Sequence, residues 1–178
     1  EDVDGVRFLV EMQNWSQHYF NKRAVYYSSF AIQDQAAKEK RHQLKTLKKD
    51  KWDYNFAPVY LVCFLTFNMK RDLPELTKVK EDDYISIYKY MDVETNELLE
   101  DGTTLIFIEL KKFSKNLKEC DTEKDRWICS LKSMGDQLEM PKELSGTILQ
   151  TLYDKAALAA MSPEKRTIYI SKAMSRND

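Results

Sequence analysis

The pattern of apolar and polar residues near the start of the chain predicts a β-strand preceded by a tight turn. Residues 6–13 (VRFLVEMQ) are mostly apolar or β-branched, as expected for a strand, and they follow the turn Val3-Asp4-Gly5. An Asp-Gly pair directly before a strand is typical of a β-hairpin. We therefore expect the chain to be truncated within this hairpin, with the first strand lying upstream of Glu1.

A long helix is predicted to follow this strand. Asn14 and Gln17 have the spacing of a capping box, which places the start of the helix near Trp15. We expect the helix to end before Trp52. Four of its residues follow one another at spacings of four, four and three, and so share one helical face: Tyr19, Arg23, Tyr27 and Phe30.

Three apolar segments in the middle of the chain predict further strands. The segment 59–67 (VYLVCFLTF) is nearly continuous in its apolar character, as in a strand that is buried on both faces. The segments 84–91 and 104–110 predict the other two strands. Together with the strand at 6–13 they provide enough strands for a central sheet.

The last third of the chain has helical spacing throughout. A helix is expected after Asp121 or Thr122, a second within 144–161, and a third from Ser162-Pro163-Glu164, where proline occupies the first helical position. The order of elements predicts an α/β fold in which a central mixed sheet is flanked by helices and the C-terminal third is helical.

Composition limits the class of protein. The length of 178 residues suits a single domain, and no apolar run approaches the roughly 20 residues of a membrane span, so we expect no membrane partner. Three cysteines without a CxxC pair, and only two histidines, argue against a structural zinc site. An odd number of cysteines without a disulfide pattern favours a cytoplasmic protein.

Charge is distributed unevenly along the chain. The formal net charge of −1 predicts no attraction of the whole molecule to nucleic acid. Residues 38–51 nevertheless carry seven Lys or Arg against two acidic residues. This basic stretch, which includes Lys38 and Arg41, is either a solvated helix face or a stripe that contacts phosphates.

Candidate chemistry is concentrated at the end of the first strand. Glu11 and Gln13 are two residues apart, and because side chains alternate along a strand they project from the same side. A carboxylate in this position can bind Mg²⁺, which favours oxygen ligands, and the carbonyl of Met12 is a further candidate ligand. Such a metal would activate water and stabilise charge on a phosphate.

Six segments of the chain, in order, resemble the recombination-promoting nuclease or transposase branch of the PD-(D/E)XK nuclease superfamily. The resemblance covers nearly the whole chain, and it depends on the ordered series because a Glu-x-Gln pair alone arises often by chance. The six segments are DG-VRFLVEMQ, YFNKRAVYYSS, WDYNFAPVYLVCFLTF, TLIFIELKKF, DRWICSLKSM and MSPEKRTIYI.

The resemblance implies a restriction-endonuclease-like core that cleaves DNA with Mg²⁺, or with another divalent cation such as Mn²⁺ or Ca²⁺, and it makes a homodimer plausible. Glu11 and Gln13 match the motif, whereas the Asp that the family carries on the preceding strand has no match. Gln13 stands where many such nucleases have lysine. Arg23 matches a basic position after the active strand, either contacting the scissile phosphate or Glu11, or forming a surface ion pair.

Several other residues have open roles. Lys22 is either a DNA contact or a solvated charge. Tyr27 is expected to face the core, with a catalytic role as the alternative. Glu109 and Lys111 form a second half-motif, Glu-x-Lys, at the end of the strand 104–110. We place the active strand at Glu11 instead, because the resemblance implies an active strand that comes first and directly precedes a helix. We expect Glu109 to form a charge pair on an edge strand.

The sequence leaves the activity open. It contains no GxxxxGK[ST], GxGxxG or GxSxG motif, so no nucleotide cofactor is expected. The alternative to an endonuclease is a catalytically impaired DNA-binding or assembly module that retains the fold, since the second acid is missing and Gln13 is neutral. A third possibility is a protein-interaction domain that no longer binds DNA.

Overall fold

The chain forms two compact units, Glu1–Ser114 and Lys115–Asp178, which are described separately. The expectation of a single domain stays a prediction. The Val3-Asp4-Gly5 turn, its hairpin and the helix expected from Pro163 onward lie outside the residues that the structure describes. This computed structural model describes residues 6–14, 16, 18–69, 83–99, 102–137, 139–160 and 162.

A four-stranded mixed sheet organises the first unit. The order of its strands is β1-β2-β4-β3, with β1, β2 and β4 parallel and β3 antiparallel to β4. The predicted α/β fold with a mixed sheet is confirmed, and it is consistent with a restriction-endonuclease-like core. The strands are β1 (Arg7–Gln13), β2 (Val59–Leu65), β3 (Ile85–Tyr88) and β4 (Thr103–Glu109).

The long predicted helix, α1 (Phe20–Arg41), begins later than its sequence suggests. The expected start near Trp15 is wrong, because Tyr19 adopts a left-handed backbone conformation with φ of 64° that a right-handed helix cannot include. The side chain of Tyr19, the residue at the N-cap, makes no capping hydrogen bond, and Gln17 of the predicted capping box lies outside the described residues. The helix ends before Trp52, as predicted, in a π-helical turn at His42–Thr46.

Helix α1 packs on one face of the sheet through mostly small side chains. The core it contacts includes Leu61, Cys63 and Leu65 of β2 and Phe107 of β4. These positions alternate along their strands, so they lie on a single face of the sheet. The buried residues of α1 follow one another at spacings of four, four, three and four: Phe20, Ala24, Ser28, Ala31 and Gln35.

A buried glutamine holds the segment that connects α1 to β2. The side-chain amide of Gln43 donates to Asp53 Oδ1 at 2.7 Å and to the Asn55 carbonyl at 3.2 Å. In return, Gln43 Oε1 accepts from the Asp53 backbone N–H at 3.2 Å. The hydrogen bonds of Asp53 with Lys49, Asn55 and Gln43 lower the pKa of its carboxyl to about 2. Part of the basic stretch is therefore folded against this connection.

The second unit contains helices joined by turns, and no strand, among the residues that the structure describes. Helix α2 (Glu123–Ser133) is capped by Thr122, whose hydroxyl accepts from the Asp125 N–H at 3.1 Å, so this predicted cap is confirmed. Helix α3 (Ile148–Ala160) lies within the predicted range. Across the described part of the chain, no helix combines the length and apolar character needed to cross a membrane.

The small residues of α1 lead to a prediction about packing. Ala24 is almost fully buried against the sheet, so Ala24→Leu should destabilise the protein by about 1–3 kcal/mol through overpacking. Ala37→Leu makes the same change at an exposed position of α1 and is the control. Urea unfolding of both variants measures the difference. Equal stability of the two variants would contradict close packing at Ala24.

The lowered pKa of Asp53 leads to a prediction about acid stability. Its ordinary value of 3.8 falls to about 2 in the folded protein, so the ionised form contributes stability above about pH 4. That contribution is lost as the pH falls through 2. The melting temperature of the unaltered protein should therefore exceed that of Asp53→Asn at pH 5, and the gap should close by pH 2. A gap that is independent of pH would overturn this assignment.

Candidate active site

Glu11 and Gln13 lie at the carboxyl end of β1 and project from the same face of the sheet. Glu11 is level with Cys63 of β2, and Gln13 is level with Leu65. Both β2 residues belong to the core beneath α1, so the two β1 side chains share the face that α1 covers. Gln13 is buried, whereas the side chain of Glu11 remains 29% exposed. The predicted common orientation of the pair therefore holds, with Glu11 the more accessible of the two.

Helix α1 brings Arg23 to Glu11. The Nη2 atom of Arg23 is 3.8 Å from Glu11 Oε1, a long ion pair in which each side chain is about one-third exposed. The same Nη2 donates to the Tyr27 hydroxyl at 3.3 Å, and the guanidinium lies 5.5 Å from the centre of the Tyr27 ring. The hydrogen bond to Tyr27 and the charge of Glu11 raise the pKa of Arg23. A permanent cation is thus held beside the carboxylate.

Tyr27 contacts Arg23 beside Glu11. The expectation that it faces the core is wrong, since Tyr27 is 37% exposed and its hydroxyl accepts a hydrogen bond from Arg23. The buried face of α1 passes one residue further along, through Ser28. The spacing of four between Arg23 and Tyr27 is the signal that could have revealed their contact.

The thiol of Cys63 is inert in this environment. Burial, together with the nearby negative charge of Glu11, raises the pKa of Cys63 to about 12. A thiol with such a pKa stays protonated at neutral pH, so it is neither a nucleophile nor a metal ligand there. Of these two neighbouring side chains, only that of Glu11 is partly exposed.

The backbone of β1 directs the Met12 carbonyl away from β2. Arg7 N–H donates to the Pro58 carbonyl at 3.3 Å, and the Gln13 carbonyl accepts from Thr66 N–H at 3.1 Å. The backbone groups of alternate residues in a strand point towards opposite neighbouring strands. Because Arg7 and Gln13 bond towards β2, the Met12 carbonyl points to the outer edge of β1. Glu11 and this carbonyl are both oxygen donors of the kind that Mg²⁺ prefers.

These two donors fit a hard cation but do not complete its coordination. Within the described part of the chain there is no group of three His, Cys, Asp or Glu side chains able to hold a metal ion. Mg²⁺ usually keeps several waters and takes only one or two protein carboxylates. The donor set is therefore chemically suitable, with one carboxylate supplied by β1.

The second half-motif does not form an alternative site. The side chain of Glu109 is fully buried, accepts from the Met69 N–H at 2.6 Å and lies 3.3 Å from Lys112 Nζ. Lys111 lies beyond the strand, in a short turn, and is exposed. The expectation that Glu109 forms a charge pair on an edge strand is also wrong. Strand β4 lies between β2 and β3, and the cation paired with Glu109 is Lys112, which follows the strand.

The four candidate DNA-binding residues divide between the two ends of α1. Lys22 and Arg23 are near its first turn, at the carboxyl end of the strands, and Lys22 Nζ lies 5.2 Å from the centre of the Tyr19 ring. Lys38 and Arg41 follow Arg23 by 15 and 18 residues, which corresponds to about 22 and 27 Å along a helix. Only the first pair therefore lies near Glu11.

Comparison with known proteins adds a family match. A family model described as PD-(D/E)XK nuclease family transposase matches residues 1–178. No curated protein and no solved structure matches the chain significantly.

The geometry of the Glu11 ion pair leads to a prediction about its role. A long, partly exposed pair contributes little to stability, so the effects of Glu11→Gln and Arg23→Gln on the free energy of unfolding should be additive within error. The control is the same cycle on Lys115 and Asp125, which are 2.7 Å apart with the carboxylate buried, and there we expect clear coupling. Strong coupling between Glu11 and Arg23 would instead make Glu11 a structural residue.

Proposed function

The chain belongs to the PD-(D/E)XK nuclease family transposases, and from this membership we propose that it is a Mg²⁺-dependent endonuclease. It would hydrolyse phosphodiester bonds of DNA in events linked to recombination or mobile elements. The observation that carries this proposal is the position and exposure of the Glu11 side chain. Its carboxylate lies at the end of a parallel strand, stays partly exposed, and faces a cation at 3.8 Å without being enclosed by it.

Glu11 and the Met12 carbonyl are the groups that would hold the ion, with Mn²⁺ or Ca²⁺ as other candidates for the site. When bound, a divalent cation lowers the pKa of water and stabilises negative charge on a phosphate. The exposed part of the Glu11 side chain and the outward direction of the Met12 carbonyl support this assignment. The absence of any third ligand of this kind among the described residues leaves the rest of the coordination to water and phosphate.

Arg23 has a role beside the carboxylate. Its guanidinium presents several N–H donors in a fixed plane, which suits the oxygens of a phosphate. Tyr27 holds the guanidinium by a 3.3 Å hydrogen bond, so Arg23 can turn towards a phosphate without losing this support. Gln13 is neutral, and its amide would orient a water molecule or a phosphate rather than offset charge.

The remaining basic residues of α1 would bind the DNA backbone. Lys22 lies next to Arg23, whereas Lys38 and Arg41 are about 22 Å or more away along the helix. Contacts to phosphates position a protein on DNA without reading its sequence. A DNA segment that follows α1 from Lys22 to Arg41 would therefore have its scissile phosphate at the Glu11 end.

A second acid would come from a strand paired with the outer edge of β1. In the described sheet β1 is an edge strand, and its outer edge carries the Met12 carbonyl. The sequence pair Asp4-Gly5 before β1 is typical of a hairpin, and it supports the proposal of a partner strand in this position. An aspartate on that strand would lie beside Glu11 and complete the pair of carboxylates.

We also propose that the protein is a homodimer, because cutting both DNA strands usually takes two active sites. The unpaired cysteines support a cytoplasmic location.

One observation favours a second candidate function, a DNA-binding or assembly module without cleavage. The described residues bring only one carboxylate to the site, and Gln13 stands in place of a cation. In that case Arg23 and Lys22 would bind DNA while Glu11 merely pairs with Arg23. DNA binding that weakens steeply with salt concentration, without cleavage of the DNA, would favour this function over the nuclease.

The test of the nuclease proposal is nicking of supercoiled plasmid by the protein with Mg²⁺. Glu11→Gln should lower the rate at least about 100-fold, since a metal ligand contributes several kcal/mol to the transition state. Glu97→Gln makes the same change at an exposed position away from the sheet and should leave the rate unchanged. Equal nicking by the unaltered protein and Glu11→Gln would refute the assignment of Glu11.

A further inference from the structure

One face of α1 exposes aromatic rings next to cations. Tyr19 is 72% exposed, Tyr26 59% and Phe30 51%, although apolar rings of this size are normally buried. Tyr26 and Phe30 are four apart on α1 and share one side of it with Lys22 and Arg23, next to Tyr19, which immediately precedes the helix. This surface, the aromatic–cationic face of α1, consists of Tyr19, Lys22, Arg23, Tyr26, Tyr27 and Phe30.

The rings of this face contact one another. Tyr26 meets Phe30 edge to face, with ring centres 4.7 Å apart, and the centres of Tyr26 and Tyr27 are 5.9 Å apart. Two cations lie close to rings of the same face, Lys22 at 5.2 Å from Tyr19 and Arg23 at 5.5 Å from Tyr27. The contacts limit the motion of the rings and keep aromatic surface open to solvent.

The charge of this part of the chain selects an anionic partner. Between Glu11 and Asp34 there is no acidic residue, whereas Lys22 and Arg23 lie on the aromatic–cationic face. Asp34, the first carboxylate of α1, forms an ion pair with Arg7. A polyanion can therefore lie along the first half of α1 without meeting an unpaired negative charge on this helix.

The class of polyanion follows from the rings. Bases in a continuous duplex stack on one another and hide their faces, whereas unpaired bases can stack on aromatic side chains. We infer that the aromatic–cationic face of α1 binds single-stranded or locally unpaired DNA. Bases stack on Tyr26 and Phe30 while phosphates contact Lys22 and Arg23. The inference rests on the proposed function and names its substrate class, since Arg23 joins this face to Glu11.

The test measures binding, not cleavage. A fluorescently labelled single strand and the corresponding blunt duplex are titrated with the protein in EDTA, and fluorescence anisotropy gives each Kd. The single strand should bind more tightly than the duplex. Stacking of one base on one ring corresponds to roughly tenfold in affinity, so Tyr26→Ala with Phe30→Ala should weaken single-strand binding by about 100-fold. Duplex binding should change far less.

Two control variants separate stacking from other effects. Tyr26→Phe keeps the ring and should bind the single strand as the unaltered protein does. Tyr90→Ala removes a ring that is 53% exposed and lies outside the aromatic–cationic face, and it should have no effect. Circular dichroism shows that each variant is folded. Equal loss of single-strand and duplex affinity, or no loss of either, would overturn the inference.

Sedimentation of the same variants distinguishes DNA binding from protein association. If Tyr26→Ala with Phe30→Ala dissociates an oligomer and leaves single-strand affinity unchanged, the face is a protein interface and the inference is wrong. Glu11→Gln should bind the single strand normally, because it keeps every residue of the face. If single-strand binding depends on the rings but Glu11→Gln still nicks plasmid at the full rate, the nuclease assignment fails while this inference stands.

Discussion

The close approach of α1 to the sheet is the constraint on which the rest of the first unit depends. Ala24, Ser28 and Ala31 are small enough to bring the helix backbone near β2, and the core closes around Leu61 and Phe107. A helix packed at this distance carries its flanking side chains to the edge of the sheet. That is how Arg23 reaches Glu11, and how Tyr26 and Phe30 remain outside the core. The packing of α1 on the sheet thus positions Arg23 beside Glu11 and leaves the rings of Tyr26 and Phe30 exposed.

The sheet ends in two glutamates that differ in environment. Both Glu11 and Glu109 lie at carboxyl ends of parallel strands and project from the same face, since Gln13, Leu65 and Glu109 are level with one another. β4 is an interior strand, so Glu109 is enclosed and satisfied by the Met69 N–H and Lys112. Glu11 instead keeps 29% of its side chain exposed and faces Arg23 at 3.8 Å. Burial, and not the local motif, distinguishes the two carboxylates.

The two ends of α1 have different surroundings. At its start, Lys22 and Arg23 stand among exposed rings near the candidate site. Beyond its end, the buried amide of Gln43 holds the connection to β2, and Lys49 pairs with Asp53 at 2.8 Å. The basic stretch that dominates the charge pattern is therefore partly structural. Lys22 and Arg23, which do not stand out in the charge pattern of the sequence, lie near the carboxylate of Glu11.

The sequence by itself determined the properties that depend on local periodicity. Glu11 and Gln13 share one side because strand side chains alternate, and Thr122 caps α2 because its hydroxyl reaches an N–H three residues on. Only the tertiary structure decided the start of α1, which depends on the left-handed backbone at Tyr19, and the exposure of Tyr27. The tertiary structure also decided that Glu11 is partly exposed whereas Glu109 is fully buried. Burial depends on neighbours brought from distant parts of the chain, and a short pattern of residues carries no information about those neighbours.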